Sequence, residues 1–231
     1  AVAFAAQSDW PSRTCAQQAI DRADVRNAGG MRLRLVPDAG AYEPRIRERG
    51  EMHFREREWH DFFNVLVWLT YPRAKAGLNE AQAAALEEQH GSATGKSRRG
   101  ARGDALTIFD ENGAIVVSSD RSLLEDLRAF RWKRLFVERR DEVNAAIRVF
   151  FFGHALLEKA LHPFIGITAH ALLLTVSDEF LASALPAQTA AVDATLSDAI
   201  PSITTARAFS PLPVLGMPGW WRENEQPGFY D

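Results

Sequence analysis

Residues 61–70, DFFNVLVWLT, leave the chain little choice of environment. Phe62, Phe63, Val65, Leu66, Val67, Trp68 and Leu69 surround one polar side chain, Asn64. A helix that is apolar on every side must be buried, and Tyr71-Pro72 stops it because the residue before proline avoids the α region. A core able to enclose such a helix is available, since a fold of 231 residues buries roughly 70% of its unfolded-chain surface. Hydrophobic residues at 46% and charged residues at 25% are ordinary for a globular chain. The polar residues caught inside the apolar runs are therefore where chemistry would live, because a buried polar group must find partners.

The rest of the chain reads as short elements. Residues 16–28 form a helix closed by Gly29-Gly30. Residues 31–36 alternate apolar and basic side chains, as a strand with one wet face does, and end at Pro37. Residues 45–58 read as charged loop with a helical turn. Asn79 caps a second helix, which runs to about His90. The stretch 91–103, GSATGKSRRGARG, holds four glycines and four basic residues and reads as a mobile loop. Residues 106–110 and 114–118 flank Glu-Asn-Gly as a β-hairpin, with Gly113 in the left-handed turn position. Asp120 caps a helix to about Phe130. A strand follows at 145–152, where a helix is the alternative reading, then a helix at 153–161 and a strand at 167–176, and a helical stretch runs from 177 to about 200. Five prolines and the Trp220-Trp221 pair make residues 201–231 an irregular wrap. The expected fold is α+β: a single domain spanning residues 1–231, with a small mixed or antiparallel sheet packed with helices and a Pro/Trp-rich C-terminal segment.

Charge and composition bound the setting. Cys15 is the one cysteine and cannot form an internal disulfide, which fits a reducing compartment. The apolar start at 1–6 lacks the basic region of a signal peptide. The longest apolar run, 147–157, is broken by Arg148, Gly153 and His154 and falls short of the roughly 20 residues that span a bilayer. The expectation is a cytoplasmic protein that neither spans nor coats a membrane. A net charge of −3 gives no pull toward nucleic acid or anionic membranes and leaves the partner open, with a small molecule among the choices. The 27 basic residues include four lysines, Lys75, Lys96, Lys133 and Lys159. A GC-rich genome is the plainer reading of that preference for arginine; bidentate recognition of phosphate or carboxylate is the sharper one.

Five blocks carry a resemblance. WHDFFNVLVWLTYPRAKAGLN (59–79), RRGARGDALTIFDENG (98–113), FGHALLEKAL (152–161), GITAHALLL (166–174) and LPVLGMPGWWRENE (212–225) stand in an order that resembles the bacterial family catalogued as domain of unknown function 3025. The likeness covers nearly the whole chain beyond residue 41. It implies no reaction, ligand or partner. It does imply an arginine where this chain has Gly103.

Candidate site residues come from pairs with shared faces. His60 and Asn64 are four apart on one helix face, with Asp61 reading as the cap of that helix. His154 and Glu158 repeat the spacing, which can supply two ligands to a divalent metal that needs a third. His170, on the strand face of Leu172 and Leu174, is the natural third. Each has a plainer reading, as a core histidine or an exposed ion pair. Asp104 and Asp110 fall on one side of a strand at period two; Asp110 belongs to turn chemistry, so Asp104 is the better candidate. Glu87 and His90 resemble half of a di-iron motif with no second copy. No Walker loop, dinucleotide fingerprint or Gly-x-Ser-x-Gly elbow is present. The expectation is a hydrolase-type enzyme that uses His60, Asp104, His154, Glu158 and His170, with or without a divalent metal. The alternative is a non-catalytic binding protein whose contacts are made by Asn64, Arg102, Trp220 and Trp221.

Overall fold

The computed structural model describes residues 10–37, 40, 42–90 and 100–230. In chain order the elements begin with helix α1 (Arg13–Arg22), strand β1 (Arg34–Val36), α2 (Tyr42–Arg49), β2 (Glu51–His53), α3 (Trp59–Thr70), α4 (Pro72–His90), α5 (Ala101–Asn112) and β3 (Gly113–Ser118). They continue with α6 (Arg121–Arg128), a π-helical turn (Arg134–Glu138), α7 (Arg140–Ala146), β4 (Ile147–Phe151), α8 (His154–Lys159), β5 (Thr168–Thr175), α9 (Asp178–Ala182), α10 (Leu185–Ala199) and β6 (Ser210–Pro213). The fold is α+β. The chain divides into two compact units, residues 1–107 with 190–206, and residues 108–189 with 207–231.

In the first unit a helical core surrounds a two-stranded parallel sheet, β1 against β2. Ile20, Leu33, Ile46, Met52, Val65 and Trp68 are buried together there. The apolar segment at 61–70 is the helix its composition requires, with only Thr70 exposed. Its start is Glu58 rather than Asp61. Asp61 instead accepts from the Arg55 backbone N–H at 2.7 Å and from the Arg55 guanidinium at 2.9 and 3.0 Å. Burial alone would raise its carboxyl pKa, but those bonds hold it below the ordinary value. The open edge of β1 is covered by a side chain that imitates a strand. Gln17 donates to Leu33 O at 3.0 Å and accepts from Leu35 N at 2.6 Å, the pairing a neighbouring peptide would make.

Three expectations are corrected in this unit. Residues 45–58 hold α2 and β2 rather than loop, because Ile46 and Met52, both 0% exposed, each have a core to enter. Asn79 lies inside α4 and donates to Glu43 O at 3.0 Å. The first-turn amides of α4, which have no partner within the helix, are met instead by Asp193 of α10, which accepts from Arg73 N at 3.2 Å and Ala74 N at 2.8 Å, so the cap comes from more than a hundred residues away. Of the basic stretch 91–103, residues 91–99 lie outside the described residues, and Ala101 begins α5.

In the second unit four strands form a mixed sheet in the order β4-β3-β5-β6. β3 runs antiparallel to β4 and parallel to β5, and β5 runs antiparallel to β6. All six residues of β3 are buried, as a central strand covered on both faces must be. One face packs Ala114, Val116, Ala169 and Ala171 against Leu123, Leu127 and Phe136. Asp120 does cap α6, accepting from Ser122 N at 2.8 Å.

The expected hairpin at 106–118 is overturned. Its first arm is the helix α5, which passes into β3 with no intervening loop. Gly103 is buried in α5, and so are Ala105, Leu106, Phe109 and Asp110, the last four at a helical spacing of four rather than an alternation. Asp104 and Asp110 therefore share no strand face. Gly113 takes no positive φ. It is glycine because a Cβ there would lie 2.3 Å from Phe109 O and 2.8 Å from the Phe109 ring.

Candidate functional site

Two glycines bring the polar groups of the second unit together. Gly113, the first residue of β3, accepts at its carbonyl from Phe152 N at 3.0 Å and from Gly153 N at 2.8 Å. A Cβ on Gly153 would sit 2.5 Å from Gly113 N and 2.6 Å from both Asn112 Cα and Glu111 O. The backbone leaving β4 is thus pressed onto the junction of α5 and β3, an approach open only to residues without a side chain. The next residue is His154, which opens α8. Lys159, the last residue of α8, donates to Asn112 Oδ1 at 2.6 Å and ties that helix to the end of α5.

His154 is 3% exposed and Asp110 6%. The imidazole stands between two carboxylates. Its Nδ1 lies 3.8 Å from Asp110 Oδ1, and its Nε2 lies 3.7 Å from Glu111 Oε1. Both gaps exceed a hydrogen bond and fall within ion-pair range. The Glu111 side chain is 34% exposed, so the Nε2 side of the ring is the side nearer water. A carboxylate at Nδ1 fixes ring orientation and leaves Nε2 for proton transfer or for a metal. Two ligand atoms each ~2.1 Å from a tetrahedral metal lie roughly 3.4 Å apart, close to the Nε2–Oε1 separation.

An aromatic row links the elements that carry this group. Phe109 stacks on Phe152 at 5.0 Å and on Phe209 at 5.1 Å, and Phe209 meets the His170 ring edge-on at 6.3 Å. His170 pairs with Gly113 across the β3–β5 ladder. Burial, and after it the Lys159 ammonium, hold the His170 imidazolium pKa below its ordinary value. His154, Asp110, Glu111, Lys159 and His170 are thus gathered around one end of β3. Glu158 lies on α8 one turn beyond His154.

His60, Asn64, Arg102 and Asp104 belong to the first unit. Asn64 is 5% exposed and donates through Nδ2 to the Tyr42 hydroxyl. Asp104 is exposed in the first turn of α5. Arg102 has its Nη1 4.0 Å from Glu88 Oε1. Glu87 pairs with Arg47 at 2.7 Å. Trp220 is 41% exposed with its ring 5.4 Å from Phe151, and Trp221 is half-buried.

Sequence reading passed over Asp110 and Glu111. Asp110-Glu-Asn-Gly carries turn chemistry, and only the buried pairs 105/106 and 109/110, four residues apart, mark it as the last turn of a helix.

No curated protein and no solved structure matches the chain. A family model does: the one described as protein of unknown function (DUF3025) matches residues 33–231.

Proposed function

The chain belongs to the DUF3025 family, and from its own side chains we propose that it is a hydrolase-type enzyme centred on His154. The observation that carries this reading is the buried imidazole between Asp110 and Glu111, 3.8 and 3.7 Å from its two ring nitrogens. Asp110, in ion-pair range of Nδ1, favours by its charge the tautomer protonated there. Nε2 is then the atom that takes a proton from water or from a substrate hydroxyl, and Glu111 stabilises the imidazolium that results. A divalent cation seated between Nε2 and Glu111 would serve the same reaction by activating a bound water, with Asp110 as the partner of the ligating histidine.

A panel of chromogenic esters, amides and phosphate esters tests it, together with elemental analysis of untagged protein. His154→Ala should lower turnover about 10²–10⁴-fold, the usual contribution of a general base. Asp110→Asn and Glu111→Gln should lower kcat more than they change KM. His60→Ala, Asp104→Asn, Glu158→Gln and His170→Gln complete the panel as the candidates from sequence. If a metal is used, a chelator abolishes turnover and the cation restores it. Full turnover in His154→Ala would refute the assignment.

A further inference from the structure

The second unit contains an apolar cavity of about 380 Å³, inside the size range of small-molecule sites. Its walls include Phe151 of β4, Leu156, Leu157 and Ala160 of α8 and its C-terminus, and the Trp220-Trp221 pair, with no charged side chain among them. At roughly 30 Å³ per water-sized group the space holds about a dozen heavy atoms.

The cavity is separate from the His154 group although α8 serves both. None of His154, Asp110, Glu111, Lys159 and His170 is among its wall residues. The mouth is unusually apolar. Trp220, itself a wall residue, is 41% exposed. The chain leaving α8 past Pro163, another wall residue, exposes Leu161 at 37%, Phe164 at 54% and Ile165 at 66%. Exposed apolar side chains grouped along the chain beside an apolar cavity mark a binding region.

We propose that this cavity binds the hydrocarbon end of an acyl chain. The absence of charge in the walls selects an uncharged group. The exposed residues at the mouth continue the apolar surface outward, so an elongated occupant that fills the cavity and then lies over Phe164 and Ile165 buries more than a compact ring does. The polar head of such a ligand stays in solvent.

Saturated fatty acids of about six to sixteen carbons, displacing the fluorescent polyene cis-parinaric acid below their micellar concentrations, test the proposal. One saturable site is expected, with each added methylene tightening binding about fourfold until the apolar surface is covered. Ala160→Trp, at an exposed position on the wall, should weaken binding about tenfold or more by filling the cavity, with an unchanged circular-dichroism melt. His154→Ala should leave binding unchanged, so failure of the hydrolase reading and failure of this one are distinguishable. Affinity independent of chain length, naphthalene bound more tightly than any of the acids, or no saturable binding would overturn it. So would a concentration-dependent dimer that Ala160→Trp abolishes, because the apolar mouth would then belong to a second copy.

Discussion

At the scale of single residues, Asn64 and His170 show two different consequences of burying a polar group. Asn64 donates to Tyr42, while its Oδ1 is buried with no hydrogen-bond partner among the described residues. Asn64→Ala should therefore lower stability by about 1 kcal/mol, the net value of one such bond. A urea midpoint equal to that of the parent would contradict this. His170 gives a sign for acid sensitivity. Its folded pKa lies below the ordinary 6.5 because of burial and then Lys159, so the unfolded chain binds that proton more readily than the folded one. Stability then falls as pH drops through about 6.5. His170→Gln should flatten the decline in melting temperature between about pH 7 and pH 5. Equal declines in both proteins would exclude this histidine as the cause.

At the scale of elements, the site depends on how one strand end meets one helix end. Gly153 admits no Cβ without moving the backbone of residues 111–113. Gly153→Ala should cost about 3 kcal/mol, at the upper end of overpacking losses, and should displace His154 from Asp110 and Glu111. The ring of His154, followed by its ¹H–¹⁵N correlations, reports that displacement apart from stability. Ala155→Gly, two residues along, supplies the control: it should lose about 1 kcal/mol of helix propensity and leave those correlations in place. A Gly153→Ala protein as stable as its parent would show that the close approach is not needed. The same reasoning explains why α5 was legible as a buried segment and misread as a strand. Its apolar residues are too few to establish a period, and Asn112-Gly113 carries the composition of a hairpin turn without its backbone.

At the scale of the whole molecule, each compact unit is assembled from two stretches distant in sequence. The first takes its final pieces from residues 190–206, where Leu196 and Ile200 are 0% exposed and Asp193 caps α4. A fragment ending at residue 107 should lose its cooperative thermal transition, and fusing residues 190–206 to it through a flexible linker should restore one. A fragment melting as cooperatively as the full chain would show that this return segment is dispensable.

What the sequence determined by itself is whatever one segment settles through its own composition. The burial of residues 61–70, the strands around Val116, Val149 and Leu172, the helix that begins after Gly153 and the cap at Asp120 were all legible, because period, propensity and capping act over a few residues. The α+β class followed from them. What only tertiary structure decided is every feature whose cause lies far along the chain. Asp193 caps a helix a hundred residues earlier, Gln17 closes a strand edge, and two glycines forty residues apart allow the contact that puts His154 between Asp110 and Glu111. Such contacts depend on close approach of backbones, and a linear pattern does not encode the distance between them.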